Sequence, residues 1–290
     1  MKIMMIRKNR SMKSLAGLLH GLVLLSCWLL PVTTVPAAER AGLPSIGVEG
    51  TVLRVRTAEG RVVEGEGLAG ATLTIVFNAA PVRARIVSVV PDPDTPEGDI
   101  LLYDLQVIGE SGHGRPLCNP DAKGRRAGFP MAGHTDETGA LQQADSFEFV
   151  CTSGAQGKCA LFGYAPWRRS ADGKPMLDHF NACVRMVRAD YCGNGRSMTR
   201  DGTLIGFGDR IGINSIGPPG SKDGLPSTFA FEASWAPGGA TCVARPRLPD
   251  LITLDGLAAA CPRLAGRLGI QACRGLEADG LIDNYSRQKM

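Results

Sequence analysis

The sequence predicts an α+β protein: an N-terminal antiparallel β-module, sandwich or barrel-like, packed with a disulfide-stapled α+β domain. Three observations carry this. Short apolar runs separated by glycine and proline fill residues 47–108. A stretch around Phe180 has helical periodicity, and an even set of cysteines follows an apolar N-terminal segment. With 37 glycines and 19 prolines in 290 residues, short elements and many turns are expected.

Residues 1–37 read as an export signal. Lys2, Arg7, Lys8, Arg10 and Lys13 form a basic start, Leu15 to Leu30 is almost wholly apolar, and Val35-Pro36-Ala37 offers a small-residue cleavage site. The apolar run approaches the length of a bilayer crossing, but Pro31, Pro36 and the cleavage site favour removal over a retained anchor. A finer alternative is lipid anchoring through Cys27, because Leu24-Leu25-Ser26-Cys27 resembles a lipobox; against it, apolar residues continue to Leu30. The expected mature chain is exported, periplasmic or secreted, with no transmembrane segment.

Removing the signal takes five of the 32 basic side chains and leaves all 28 acidic ones, so the charges nearly cancel. Nucleic acid and anionic membrane surfaces lose their electrostatic basis as partners. Cys118, Cys151, Cys159, Cys183, Cys192, Cys242, Cys261 and Cys273 remain, and in an oxidising compartment they are disulfide candidates. Eight cysteines allow 105 connectivities, and sequence alone selects none.

The elements follow in order. Val48 to Thr57 is extended, Ala58-Glu59-Gly60 turns, and Arg61 to Glu64 returns as a hairpin. Ala71–Phe77, Val82–Val90 and Ile100–Ile108 add three strands. Pro91 to Asp99 reads as a solvated loop; its four carboxylates admit a calcium reading but lack EF-hand spacing. Gly109 to Ala144 is expected to be loop-rich, Ser146–Cys151 a strand and Gly157–Tyr164 a short helix.

Pro175 to Tyr191 is the clearest helix, with Leu177, Phe180, Val184, Val187 and Tyr191 on its core face and Gly193 as its left-handed cap. Thr203–Asn214, Thr228–Trp235 and Ala240–Arg245 read as strands. Leu254 to Leu268 is a weaker helix in the tail, where Cys261 and Cys273 suggest a local pair. The domain expectation is a β-rich module over 38–115, a cysteine-rich domain over 116–245 and a tail over 246–290.

The central strip resembles the bacterial ADYC-domain proteins. The signature stands at Ala189-Asp190-Tyr191-Cys192, preceded by Lys158-Cys159, Gly163-Tyr164, Pro166-Trp167 and the run from Ala182 to Arg188. Gly193-Asn194-Gly195 follows, then Thr199, Asp201-Gly202-Thr203, Ile205, Asp209, Phe231-Glu232-Ala233, Trp235 and Gly239 to Cys242. The resemblance spans about Cys118 to Arg245, so the 116–245 segment is read as the ADYC domain. It implies an exported bacterial protein of unknown function and no activity.

A Cys192 nucleophile with His179 and Asp190 fails on geometry, because a helix separates the two by about 16 Å, and a helix C-terminus disfavours a thiolate. Zinc spacings and serine-hydrolase motifs are absent. No cofactor and no metal is expected, although Asp201, Asp209 or Asn194 admits a calcium reading. Arg185, Arg188 and Asp190 read as a structural network reaching Asp209 or Glu232. The sharper alternative makes them, with Tyr164, Trp167 and Tyr191, the rim of a site for a small anionic or sugar ligand.

The favoured function is a non-catalytic binding or structural component of the bacterial envelope or secretome. The alternative is a secreted hydrolase of envelope or extracellular polymer using carboxylates such as Asp190, Asp201, Asp209 and Glu232.

Overall fold

Strands dominate, and every ladder joining named strands is antiparallel. The structure, a computed structural model, describes residues 44–77, 80–95, 98–109, 112–217, 219–222 and 224–287. The export signal and Cys27 lie outside the described residues. The protein is α+β.

The first sheet joins β1 (Ser45–Glu49), β2 (Val52–Arg56) and β3 (Val62–Glu64). The expected continuous run from Val48 is instead broken by a turn at Gly50, where φ is +57°. The second sheet orders β4 (Thr72–Phe77), β5 (Ala80–Pro91), β6 (Leu101–Ile108), β8 (Ala127–Thr135) and β9 (Leu141–Cys151), with β7 (Gly114–Pro116) also on β6. Ile46 and Leu53 of the first sheet face Ile75, Tyr103, Leu105 and Phe149 of the second, leaving an apolar gap of only about 20 Å³.

Two expectations need correction here. The 109–144 segment is not loop-rich, since it holds β7, all of β8 and the start of β9. Pro130 is tolerated inside β8 because that strand pairs with β6 only at Ala127 and Gly128, leaving an open edge beyond. Nor is the 91–99 loop simply solvated. Asp92 is buried, Arg125 Nη1 donates to it at 2.8 Å, Lys123 pairs with Asp94, and Arg168 pairs with Asp99.

Helices α1 (Ala155–Leu161) and α2 (Leu177–Arg188) follow, joined by Cys159–Cys183. The strands β10 (Ile205–Asp209), β11 (Phe229–Ala236) and β12 (Gly239–Val243) come next, then α3 (Leu254–Ala260), α4 (Ile270–Cys273) and β13 (Ile282–Arg287). Only Ile205–Asp209 of the expected 203–214 strand is extended, because Asp209 folds the following residues into a loop. The third sheet has the order β10-β13-β11-β12, so the tail supplies an interior strand that the sequence did not reveal. Leu53, Ile86, Phe129, Phe180, Trp235, Leu257 and Ile282 belong to one continuous apolar core, which therefore spans the β-module, the cysteine-rich domain and the tail.

Helix α2 departs from a one-sided amphipathic helix. Phe180 to Met186 are buried all round, Arg185 included, because α1 covers one flank and β11 to β13 another. Its C-terminal residue in the left-handed region is Ala189 (φ 50°, ψ 40°), not Gly193. The Asp190 N–H closes the end on the Arg185 carbonyl at 2.9 Å, as in a Schellman motif.

Candidate functional site

All eight described cysteines are paired: Cys118–Cys151, Cys159–Cys183, Cys192–Cys261 and Cys242–Cys273, with Cα separations of 5.3–5.7 Å. These separations fit cystine geometry. The local Cys261–Cys273 pair is overturned. Cys261 reaches back 69 residues to the signature turn, and Cys273 staples α4 to β12. The Cys192 sulfur is bonded, so it offers no thiolate to His179 or a metal.

The signature residues close on one another inside the protein. Asp190 is fully buried and accepts from Arg185 Nη1 at 2.6 Å and from the backbone N–H groups of Asn194 (3.1 Å) and Gly195 (2.7 Å). Arg185, 2% exposed, spends its remaining donors on the Pro237 carbonyl (2.9 Å), Thr138 Oγ1 (3.0 Å) and the Thr138 carbonyl. One guanidinium thereby ties the helix end to the β8–β9 turn and the β11–β12 turn. Arg188 donates to the Gly195 carbonyl.

A second cluster surrounds Glu232, also fully buried. Arg247 grips it with Nε and Nη2, each at 3.0 Å, and caps α2 by donating to the carbonyls of Met186 (2.7 Å) and Val187 (3.1 Å). A cation at the negative end of a helix dipole is well placed. The Tyr191 hydroxyl donates to Glu232 Oε1 at 3.0 Å and accepts the Arg247 N–H at 2.7 Å. Burial foremost, with the Glu232 charge, pushes the Tyr191 phenol well above its ordinary range, so it stays a neutral donor. Its ring stacks on Trp235 at 5.3 Å, and Trp235 Nε1 donates to Asn284 Oδ1 at 2.7 Å.

Tyr164 and Asp209 form a third cluster. The phenol donates to Asp209 Oδ2 at 2.8 Å, and Asp209 also accepts from the N–H groups of Ile211, Ile213 and Asn214 at 2.9, 3.1 and 2.6 Å. Burial, then the Asp209 hydrogen bond, raises the Tyr164 pKa. His179 stacks on Tyr164 at 6.2 Å; burial lowers its pKa, with Asp209, Asp178 and Asp172 acting the other way. Trp167 is half-buried, its edge against Phe129 and its indole over the Gly50 turn.

The expected ligand rim therefore takes a different form. Tyr164, Tyr191, Arg185, Asp190 and Glu232 are each at most 2% exposed, so none presents a stacking face or a charge to solvent. The single Arg–Asp network also divides: Arg185 binds Asp190, whereas Glu232 belongs to Arg247 and Asp209 to Tyr164. Two glycines of the pattern permit this closeness. A Cβ at Gly193 would lie 1.9 Å from the Gly238 carbonyl oxygen, and one at Gly239 would lie 2.7 Å from the Tyr191 oxygen.

Sequence reasoning missed Thr138, Arg247 and Arg263. Arg263 donates to the carbonyls of Tyr191, Cys192 and Ala240 and so clasps the signature turn. No local pattern marks them, because each partner is distant in sequence. Among the described residues no group of three or more His, Cys, Asp or Glu side chains is placed to hold a metal ion, and no helix is long and apolar enough to cross a membrane.

Comparison with known proteins yields one family. The model of the ADYC domain matches residues 65–249, beginning within the β-rich segment. No curated protein and no solved structure matches the chain. With most of its length aligned and its signature at 189–192, this chain belongs to the ADYC-domain family.

Proposed function

We propose that this chain is an exported, cross-linked bacterial protein acting as a non-catalytic binding or structural component of the envelope or secretome. The observation that carries the reading is the internal consumption of the signature. Asp190 and Glu232 are enclosed with arginine partners, and every described cysteine is in a disulfide. Disulfides persist in oxidising compartments, which supports export. The hydrolase alternative requires two carboxylates facing each other across a cleft. Of its four acids, Asp190 and Glu232 are shut away from solvent and Asp209 organises its own loop, leaving exposed Asp201 without a partner acid from this set.

Thiol labelling of protein recovered unreduced from fractionated cells tests the reading. The expected result is no reactive thiol and recovery in the envelope or medium fraction. Free thiols on protein confined to the cytoplasm would overturn it. Release of sugar or peptide fragments from envelope polymer, abolished by Asp201→Asn, would favour the hydrolase instead.

A further inference from the structure

The third sheet contains a strand that the rest of its own domain cannot replace. Strand β10 joins that sheet only through β13, in the register Ile205↔Ser286 to Asp209↔Ile282. On its other edge β13 pairs with β11 from Phe229↔Arg287 to Trp235↔Ile282. Without β13, a gap one strand wide would separate β10 from β11. The family match ends at residue 249, so the filling strand lies outside the matched segment. All four disulfides close by Cys273, so they can hold the remaining elements together without β13.

The gap also selects its occupant. Ile282, Asn284 and Ser286 alternate into buried positions. Asn284 accepts from the Trp235 indole at 2.7 Å, and Asp283 accepts from Ser234 Oγ at 2.5 Å and Arg210 Nη2 at 3.1 Å. Arg245 donates to the Ser286 carbonyl. An extended segment gains affinity from main-chain pairing on both sides and specificity from its alternate side chains.

We propose that the gap between β10 and β11 is a strand-binding groove. It takes an extended Ile-x-Asn-x-Ser segment, filled here by the chain's own C-terminus and able to accept the same segment from a second copy. Exchange of an identical element between copies needs no new contacts, only opening of the connection after Cys273. The groove also docks β10 and hence Asp209, so its occupancy supports the Tyr164–Asp209 cluster from a distance.

The test uses the full chain with a protease site inserted between Ala278 and Asp279, cleaved after folding. The cleaved protein is unfolded in denaturant without reductant and refolded with about a tenfold excess of fluorescent peptide covering residues 281–290. One labelled peptide per protein, native tryptophan emission and at least about tenfold weaker uptake of an Asn284→Leu peptide are expected. Native emission with no strand bound, equal uptake of a scrambled peptide, or failure to refold in the presence of the peptide would overturn the groove. The unmodified chain, refolded concentrated and then diluted, should yield a slowly dissociating dimer. A monomer at every concentration would overturn exchange between copies.

Discussion

In the N-terminal sheets most charge stays near water, buried Asp92 and Glu148 excepted, whereas around the signature it is sealed in. Arg54 sits between Glu49 and Glu64 with half its side chain exposed, and Arg125 gathers Asp92, Asp94 and Asp121 at the rim of a sheet. The sheets themselves meet through apolar side chains. Around α2, Arg185–Asp190 and Arg247–Glu232 are almost wholly desolvated, and three of the four disulfides lie there. Burying an ion pair contributes little net stability, but removing one partner strands the other charge. The contrast teaches that the signature half is ordered by directional bonds and cross-links, and the N-terminal half by area.

Reduction should separate the halves most strongly. Each disulfide contributes roughly 2–4 kcal/mol, so three together rival the about 5–15 kcal/mol that holds a whole domain. After reduction, amide exchange in α2 should rise well before exchange in β5 and β6; simultaneous loss would erase the distinction. Next in size is Glu232→Gln, which leaves the buried Arg247 charge without its counterion. A loss of about 3–5 kcal/mol is expected by denaturant titration.

Smaller changes sharpen the comparison. Tyr164→Phe removes one of the donors on Asp209 and should cost about 1 kcal/mol, with His179 and the β10 loop loosening locally in amide exchange. Asp136 lies in the β8–β9 turn that presents Thr138 to Arg185. Burial alone would raise its pKa, but hydrogen bonds from Thr138, Gln142 and Ala140 hold it down at about 2, from 3.8. A depressed carboxyl stabilises the folded state above its unfolded pKa and loses that contribution as pH falls towards the folded value. Stability should therefore fall between about pH 4 and 2, with a flatter profile in Asp136→Asn. Arg54→Ala, on an exposed pair, should leave the unfolding midpoint unchanged.

Legibility in the sequence follows the same divide. The strands at 72–77, 80–91 and 101–108 were readable because alternation and turn residues are local signals, as was the body of α2. The sequence reading could not place β13. Its Ile-Asp-Asn-Tyr-Ser-Arg carries too few apolar residues to announce an interior strand, since Asn284 and Ser286 hold buried positions. Ala189 escaped because a left-handed non-glycine residue is set by its surroundings, here a fully enclosed helix end. The signature acids were visible as a group, but their partners were not. Arg247 lies 15 residues from Glu232, and Thr138 lies 47 from Arg185.

Equilibrium unfolding of Asp190→Asn, with all disulfides intact, tests the structural role of the signature most directly. Asparagine keeps the shape but removes the charge facing Arg185, so the midpoint should drop sharply, by about 3 kcal/mol or more, while the cystine pattern is retained. An unchanged midpoint would mean that this carboxylate does not hold the fold, and the structural account of the signature would fall.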